Sequence, residues 1–383
     1  MKNKFSFISP WFGEQMGGAE TAAGNYAKTL FEYGFEVEIL TTCCKTPHMS
    51  WWEDSVSSTE STWDGVPVKR FRVNKSNKEK YQLAVAKQIR KEALTDEDME
   101  NFFTYGINSD DLVSYVSKIC EERNVIVTPY FQALSHSVLI KNPGKVSFVP
   151  CFHNEAQFYW QQTQDMLRCA KHIFFLSRPE KAMAIKSYGN AIGRKLIESP
   201  IVGVGTELDS YKTVKHTNLP DKYFLYAGRK DRHKGVPKLV DLYNSVSPNI
   251  PLVFIGGGDA SLIPNNDHFI DLGFVSEDEK YTIMRNCEAL INLSDNESFS
   301  IVIMEAWLLG RPVIVSEGCD VTMNYCKESK GGLWISDKNT LAKAMQTILN
   351  DHTNQMGENG RKFVQYNYNW HTVVTKFIRE FQS

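Results

Sequence analysis

Long apolar runs are missing from this sequence of 383 residues. No stretch approaches the roughly 20 apolar residues that a helix needs to cross a bilayer. The apolar run from Phe5 to Ile8 is too short for the central region of a secretory signal peptide and is typical of a first β-strand. We therefore expect a cytoplasmic protein, with any membrane contact peripheral, on the inner face of the cell membrane.

The sequence also has no large excess of charge of one sign and no cysteine spacing typical of a metal site or a redox pair. Lys and Arg number 43 against 45 Asp and Glu, a formal net charge of −2, so no basic field predicts a nucleic-acid partner. The 8 cysteines show neither a Cys-x-x-Cys pair nor zinc-ligand spacing, which favours reduced structural thiols. Hydrophobic residues make up 42% of the chain, and its length suits two domains of roughly 150 to 200 residues.

Short apolar runs alternate with longer amphipathic segments, which is typical of βαβ units around parallel sheets, so the predicted fold class is α/β. In the first half, strands are predicted at Phe5 to Ser9, Phe35 to Thr41, Val66 to Arg72, Val125 to Thr128, Val146 to Cys151 and His172 to Ser177. Helices are predicted to begin near Ala19, Lys78, Asp110, Phe131 and Pro179. The segments from Cys43 to Asp64 and from Asn74 to Asn108 are the parts expected to be irregular.

The second half repeats this alternation after a polar stretch that we interpret as the interdomain linker, which includes Lys212, Lys215, His216 and Asn218. Strands are predicted at Tyr223 to Ala227, Leu252 to Ile255, Phe269 to Leu272, Ala289 to Leu293, Pro312 to Val315 and Leu333 to Ile335. Helices are predicted near Val236, Glu277, Ser300 and Asn339. Two α/β domains facing across a cleft would bind ligands at the carboxyl ends of their strands.

Three segments between strands and helices carry chemistry. Gly17 and Gly18 follow the first strand, where backbone can approach an anion at a helix N-terminus, although such a pair alone is more often ordinary turn chemistry. The loop from Gly228 to Gly235 follows the strand that ends at Ala227 and concentrates cationic side chains. These suit a diphosphate, or form a solvated basic loop.

The third segment pairs two glutamates with an apolar helix. Glu297 lies in a loop after a strand, and Glu305 lies in the helix that begins near Ser300. A carboxylate in an otherwise apolar helix needs a partner, because an unpaired buried charge is costly. Ribose hydroxyls would satisfy Glu305, and so would an internal Arg.

The ordered set of these motifs resembles the retaining glycosyltransferases of family 4, which have the GT-B fold of two Rossmann-like domains facing across a cleft. That family has an early Gly-Gly loop, an Arg and a Lys after a strand, an apolar run ending in Gly-Gly, and two spaced glutamates. The matching positions here are Gly17 and Gly18, Arg229 and Lys234, Phe254 to Asp259, and Glu297 with Glu305.

The resemblance implies roles for these positions. Arg229 and Lys234 would bind the donor diphosphate and stabilise the leaving group, Glu305 would bind the nucleotide ribose, and Glu297 would contact the donor sugar. Backbone N–H groups of Phe299, Ser300 and Ile301, with Gly17 and Gly18, would also contact the donor. His153, just past the strand that ends near Cys151, matches a histidine that the family places near the reacting sugar; alone, it would be interpreted as structural about as often as functional.

The resemblance further implies an acceptor-side domain at 1–205, a nucleotide-sugar domain at 206–370, and a C-terminal helix at 371–383 that packs toward the first domain. The expected reaction moves a hexose-type sugar from a UDP- or GDP-linked donor to a glycan or lipid-linked oligosaccharide, in polysaccharide or lipopolysaccharide biosynthesis. No cofactor or metal is expected. Ser298 and Ser300 stand where the family commonly has glycine, so sugar specificity could differ.

For retention we prefer same-face substitution, because no carboxylate suits a double displacement; Glu155 is interpreted as a solvated carboxylate at a helix start. Asp96-Glu97-Asp98 resembles the metal-binding D-x-D motif of another glycosyltransferase fold, but Thr95 with Asp98 is better interpreted as a helix capping box.

Acceptor recognition is expected in the first domain, where stacking on sugars and core packing explain the aromatic side chains equally well. These are Trp51, Trp52, Trp63, Phe102, Phe103, Tyr105, Phe158, Tyr159 and Trp160. The basic stretch from Lys75 to Lys91 would touch an anionic membrane or form a solvated helix face. Two other functions stay open, a sugar-nucleotide epimerase of the same architecture and a non-catalytic nucleotide-sugar-binding protein.

Overall fold

The computed structural model describes residues 3–13, 16–46, 51–58, 60–208, 211–214, 219–246 and 248–382. They divide into a first unit, Met1–Val204 with Val373–Ser383, and a second unit, Gly205–Thr372. These divisions lie next to the predicted boundaries at 205/206 and 370/371, while the acceptor and donor roles attached to the domains stay predictions. Linker residues Lys215, His216 and Asn218 lie outside the described residues.

The first unit contains a six-stranded sheet in the order β3-β4-β2-β1-β5-β6. Its strands are β1 Lys4–Ile8, β2 Glu36–Thr42, β3 Ser61–Trp63, β4 Val66–Phe71, β5 Asn124–Val127 and β6 Val146–Phe148. All neighbours pair in parallel except β3 and β4. Every residue of β5 is buried, as expected for a parallel strand with helices on both faces of its sheet.

Helices of the first unit connect and cover these strands. They are α1 Gly18–Glu32, α2 Lys78–Ile89, α3 Asp96–Tyr105, α4 Asp110–Ile119, α5 Ala133–Lys141, α6 Gln161–Cys169, α7 Arg178–Ile192 and α8 Arg194–Glu198, with short 3₁₀ turns at Trp51–Glu53 and Ala156–Tyr159. In α1 the buried positions Ala22, Ala23, Tyr26, Ala27 and Leu30 recur at helical spacing and form its core-facing side.

Three sequence predictions for this unit are wrong. The run from His172 to Ser177 is buried like a strand but makes only single bridges, Phe148 to Ile173 and Phe175 to Ile201. Its neighbouring segment includes Pro200, which has no N–H for a longer ladder. The two segments predicted to be irregular contain β3 and α3, whereas α2, within the second of them, begins at Lys78 as predicted. The signal for β3 was the Asp64-Gly65 dipeptide, since both residues have positive φ and form a tight hairpin turn to β4.

The second unit contains a six-stranded parallel sheet in the order β12-β11-β10-β7-β8-β9. Its strands are β7 Phe224–Ala227, β8 Leu252–Ile255, β9 Phe269–Asp271, β10 Leu290–Asn292, β11 Val313–Ser316 and β12 Gly332–Ile335. All six coincide with predicted strands to within a residue or two at each end. Its helices are α9 Val236–Val246, α10 Glu277–Asn286, α11 Ile301–Leu308, α12 Asp320–Ser329, α13 Lys338–Leu349 and α14 Gln355–Asn367, with a 3₁₀ turn at Ala260–Leu262.

The last helix, α15 Trp370–Arg379, belongs to the first unit from Val373 onward. Its Phe377 is fully buried in an aromatic cluster, with ring centroids 4.6 Å from Phe174, 5.0 Å from Tyr26 and 6.1 Å from Phe7. Residues from the start of the chain, from its middle and from its end therefore share one core.

We expect Phe377→Ala to destabilise the first unit by about 3 to 5 kcal/mol, because it removes a buried ring and leaves a cavity. Chemical denaturation monitored by tryptophan fluorescence would measure the change. Phe274→Ala is the matched control, since that ring is 86% exposed. Equal losses of stability in the two variants would contradict the packing role of the C-terminal helix.

Candidate functional site

The loop between β7 and α9 is organised by the carboxylate of Asp231. Its Oδ1 accepts the backbone N–H of Lys234 at 2.7 Å, and its Oδ2 accepts Nε–H of Arg229 at 2.5 Å. Burial works against ionisation of Asp231, but the hydrogen bonds from Lys234 and Arg229 lower its pKa overall. One internal anion therefore fixes the positions of the two cations that the sequence marks as diphosphate ligands.

The four basic residues of the predicted cluster, Arg229, Lys230, Arg232 and Lys234, are not equivalent. Lys230 is only 3% exposed, and its Nζ lies 2.7 Å from Oδ1 of Asp271. Lys230 thus forms a structural ion pair between the loop after β7 and the end of β9, a difference from its neighbours that the run of cations in the sequence does not show. Arg229 and Lys234 are 49% and 37% exposed and can meet a ligand.

Glycines of the loop after β8 hold this cationic loop in place. Gly256 and Gly258 have φ angles of +118° and +110°, which other residues rarely adopt. A Cβ at Gly256 would lie 2.2 Å from the carbonyl oxygen of Gly228, and one at Gly258 would lie 2.5 Å from that of Lys230. The two loops therefore touch through their backbones, which only glycine permits at these positions.

Lys234 connects the cationic loop to the first of the two glutamates. Its Nζ lies 2.9 Å from Oε1 of Glu297, whose side chain is 9% exposed. A pocket of ≈ 380 Å³ is lined by residues that neighbour the pair in sequence, among them Gly235 and Asn296, but not by Lys234 or Glu297 themselves. Its volume lies in the range of small-molecule sites.

The segment after Glu297 turns sharply into α11. Ser300 has a φ of +72°, the left-handed conformation that favours glycine, and its Oγ accepts a hydrogen bond from Nδ2 of Asn292 at 3.2 Å. Phe299 is buried, with its ring edge-on to Tyr368 at a centroid distance of 5.0 Å. Because α11 begins at Ile301, the amide groups of its first turn point out of the helix end, as a ligand contact requires.

Glu305, on α11, is paired with a lysine rather than with the internal Arg considered from the sequence. Its Oε1 lies 3.0 Å from Nζ of Lys280, which also lies 2.8 Å from Glu277. Burial alone would lower the pKa of Lys280, but the negative charge of Glu305 raises it overall. Sequence reasoning missed Lys280, because nothing in the spacing of α10 shows which neighbour its side chain meets.

The remaining predicted residues belong to the first unit. Gly17 directly precedes α1, and its N–H donates to Oε2 of Glu20 at 2.8 Å. Glu20 is 3% exposed, so this helix N-terminus already holds an internal anion. A Cβ on Gly17 would lie 2.7 Å from that carboxylate, whereas Gly18 has open space around it.

His153 is 25% exposed, with Nδ1 3.7 Å from Oε1 of Glu155. Glu155 lies at a helix start, as predicted, but its carboxylate is 32% exposed and accepts the hydroxyl hydrogen of Tyr130, so it is not fully solvated. It precedes the 3₁₀ turn Ala156–Tyr159 without capping it. Burial, reinforced by the charge of Glu155, raises the pKa of Tyr130, which keeps this phenol protonated as a donor.

The capping-box interpretation of Thr95 and Asp98 is confirmed. Thr95 Oγ1 accepts the N–H of Asp98 at 3.1 Å, and Asp98 accepts the N–H of Thr95 at 2.9 Å. Lys87 donates to both oxygens of Asp98 at 2.8 Å. Among the residues that the structure describes, no group of three or more His, Cys, Asp or Glu side chains could hold a metal ion.

Four of the nine aromatic side chains considered for acceptor stacking are core residues. Phe102, Phe103, Phe158 and Trp160 are buried, whereas Tyr159 is 57% exposed. The side chain of Trp51 lies outside the described part of the chain. In that part, no helix is both long and apolar enough to span a bilayer.

Comparison with known proteins identifies the second unit. Residues 209–363 match the family model described as "Glycosyl transferases group 1". The chain carries a glycosyl transferases group 1 domain. The resemblance drawn from Arg229, Lys234, Glu297 and Glu305 is thereby confirmed at the level of the family.

Two curated relatives match the chain over part of their length. An uncharacterised glycosyltransferase of Methanocaldococcus jannaschii is 25% identical over 181 residues, 42% of this chain and 45% of the relative. N,N'-diacetylbacillosaminyl-diphospho-undecaprenol alpha-1,3-N-acetylgalactosaminyltransferase of Campylobacter jejuni is 24% identical over 144 residues, 36% of this chain and 38% of the relative. The matches thus span less than half the length of either relative.

A solved structure with the same fold is Anabaena HepE in complex with UDP and glucose. It is 15% identical, with a TM-score of 0.68 over 99% of both chains. The predicted GT-B fold with two Rossmann-like domains is confirmed. At this level of identity the likeness concerns the fold, and the ligand roles of the group 1 domain rest on its own residues.

The left-handed Ser300 in the group 1 domain gives a stability prediction. Ser300→Ala and Ser300→Gly both remove the hydrogen bond from Asn292, but only glycine relieves the backbone strain. We expect the glycine variant to unfold with a free energy about 1 kcal/mol higher than the alanine variant, after allowance for the greater unfolded-state entropy of glycine. Urea denaturation of the two proteins would measure it. Equal stability would show that Ser300 does not adopt this conformation.

Proposed function

We propose that this protein is a retaining, metal-independent glycosyltransferase that moves a hexose-type sugar from a nucleotide-diphosphate sugar to a hydroxyl of a glycan or a lipid-linked oligosaccharide. The observation that carries the proposal is the 2.9 Å contact of Lys234 with Glu297, beside Arg229 on the same loop. It combines cations suited to a diphosphate with a carboxylate suited to sugar hydroxyls.

The ion pair gives each group a partner before the donor arrives. When the donor binds, the diphosphate takes over Lys234, and Glu297 is released to accept hydrogen bonds from the sugar. Arg229 adds a planar fork that matches phosphate oxygens. Both cations then face the negative charge that grows on the leaving diphosphate, which is electrostatic stabilisation of the transition state.

Glu305 would bind the nucleotide ribose. Burial raises the pKa of Glu305, while the charge of Lys280 opposes that shift and orients the carboxylate, which could then accept ribose hydroxyl hydrogens. Anabaena HepE, whose fold this chain shares, was solved with UDP and glucose, which supports UDP-sugars as the first donors to test, before GDP-sugars.

Support for the proposed acceptor class comes from the relatives rather than from the site. The name of the Campylobacter jejuni relative includes a diphospho-undecaprenol-linked acceptor, which supports a lipid-linked glycan and a cytoplasmic reaction in polysaccharide biosynthesis. The basic stretch carries less free charge than its sequence indicates, since Lys75 pairs with Asp54 and Lys87 with Asp98. Membrane contact by this stretch stays a prediction.

For the chemical step we propose same-face substitution, in which an oxygen of the leaving diphosphate accepts the proton of the acceptor hydroxyl. The new glycosidic bond then forms on the face that the diphosphate leaves. This route needs no carboxylate nucleophile. Two basic side chains already serve the diphosphate, so the proposal includes no metal.

Donor binding tests the site. A cognate donor at about 100 times its dissociation constant should stabilise the protein by about 2.7 kcal/mol, and Glu305→Ala should abolish this gain because the ribose loses its acceptor. Thermal unfolding across UDP-, GDP-, ADP- and TDP-sugars, with and without EDTA, would measure it. We expect EDTA to leave the response unchanged.

Glu277→Ala is the matched control, because Glu277 also pairs with Lys280 but is 72% exposed. It should keep the full response. If Glu305→Ala retained the stabilisation, the ribose assignment would be wrong. If that variant folded poorly, Lys234→Met would test the same site through the diphosphate. Loss of the response on adding EDTA would contradict metal independence.

Retention without a nucleophile gives a separate prediction. Glu155→Ala should keep kcat within a few-fold of the parent, and an α-linked donor should give an α-linked product, identified by NMR of the anomeric proton. Tyr130→Phe is the control, because it removes the hydrogen bond to Glu155 while leaving the carboxylate. A fall of about 100-fold or more in kcat with unchanged donor affinity would favour double displacement instead.

A further inference from the structure

A second pocket, of ≈ 330 Å³, lies in the first unit and contains none of the residues assigned above to donor or catalysis. Its lining comes from the segment after β4, the end of α3, the start of α4 and one side of α5. Hydrogen bonds connect these elements: Asn74 Oδ1 accepts the N–H of Asp110 at 3.0 Å, and Asn108 Nδ2 donates to Ser137 Oγ at 2.8 Å. The pocket walls are therefore built rather than left by loose packing.

Several polar groups in this lining have no partner among the described residues. The hydroxyl groups of Ser76 and Tyr105 and the imidazole of His136 form no hydrogen bond there, and Nδ2 of Asn74 donates to none of these residues. The ring of Tyr105 is half-buried. Donors, acceptors and a ring face thus converge on one small volume.

The charges around the pocket are balanced. Asp110 and Lys141 contribute one charge of each sign, and neither forms an ion pair with a described residue. Burial lowers the pKa of His136, which leaves its ring neutral near pH 7, and the ring packs on Phe103 at a centroid distance of 5.2 Å. Lys80, whose Nζ lies 5.9 Å from the ring centroid of Tyr105, pairs with Glu97 at 3.9 Å and so adds no unpaired cation. Asp110 would therefore repel a phosphate or carboxylate ligand, with no excess of positive charge in the lining to offset it. Asp110 would not repel a neutral ligand.

We propose that this pocket binds a neutral, hydroxyl-rich sugar unit of the acceptor glycan. The carboxylate of Asp110 would accept two hydroxyl hydrogens, Asn74 and Ser76 would donate to hydroxyl oxygens, and the C–H face of the sugar would pack on Tyr105. The pocket volume, at the low end of small-molecule sites, suits a single sugar ring. Naming the sugar as part of the acceptor rests on the proposed function; sugar binding itself does not.

The test uses methyl glycosides of glucose, galactose, mannose and N-acetylglucosamine as probes for the full-length protein. Saturation-transfer NMR and titration would give their dissociation constants. We expect at least one glycoside to bind, and Asp110→Asn and Tyr105→Ala each to weaken it about tenfold or more, as loss of a charged hydrogen bond or a stacking face requires.

Two controls separate sugar binding from folding. Asp111→Asn changes the next carboxylate in the same first turn of α4, outside the pocket, and should leave the affinity unchanged. Tyr33→Ala removes a tyrosine ring that is 48% exposed elsewhere in the unit. Unchanged melting temperatures and unchanged UDP-sugar stabilisation would show that the pocket variants keep the fold and the donor site.

Three results would overturn the proposal: no glycoside binding, binding that survives both pocket substitutions, or tighter binding of glucose 6-phosphate than of the neutral glycosides. Because the donor response is measured in the same proteins, the two proposals fail separately. Loss of donor stabilisation with retained glycoside binding would contradict the proposed function alone. The reverse result would contradict only the sugar pocket.

Discussion

The candidate donor site depends on the carboxylate of Asp231. It holds the backbone of Lys234 and the side chain of Arg229 at once, so both cations are positioned before any ligand arrives. Close backbone contact with the loop after β8, made possible by Gly256 and Gly258, fixes the other side of the same loop. The loop therefore loses little conformational freedom on binding a diphosphate, which favours affinity.

Charged side chains that could bind a ligand also need partners within the protein, and here they have them. Glu297 is neutralised by Lys234, and Glu305 by Lys280. At α1, Glu20 occupies the helix end where an anion would otherwise bind. The carboxylates of Glu297, Glu305 and Glu20 differ in what they leave available to a ligand. Under the proposed function a diphosphate would displace Glu297 from Lys234 because it carries more charge, whereas the N–H of Gly17 already donates to Glu20.

Much of the fold follows from the sequence because buried parallel strands are continuous apolar runs. All six strands of the second unit were predicted for that reason, and so were five of the six in the first. The errors arose where a buried segment does not form a strand ladder, or where a strand is exposed. His172 to Ser177 is apolar enough for a strand but lacks consecutive partners, while the edge strand Ser61–Trp63 is too polar and short to be conspicuous. A pattern of apolar residues predicts that a segment is buried. It does not show whether another segment lies beside it to form a hydrogen-bonded ladder.

The site was predictable in its residue types but not in their pairings. Order and spacing along the chain selected Arg229, Lys234, Glu297 and Glu305, yet Lys230 was indistinguishable from its neighbours although it is buried against Asp271. The roles of Asp231 and Lys280 depend on where their side chains point, which the spacing of residues along the chain does not determine. Ser300 is the instructive case. Its backbone keeps the left-handed conformation for which glycine is best suited, so the chain retains the turn and adds a hydroxyl that binds Asn292. That hydroxyl is buried and hydrogen-bonded within the protein, so the difference between serine and glycine at this position lies in the side chain and not in the backbone conformation.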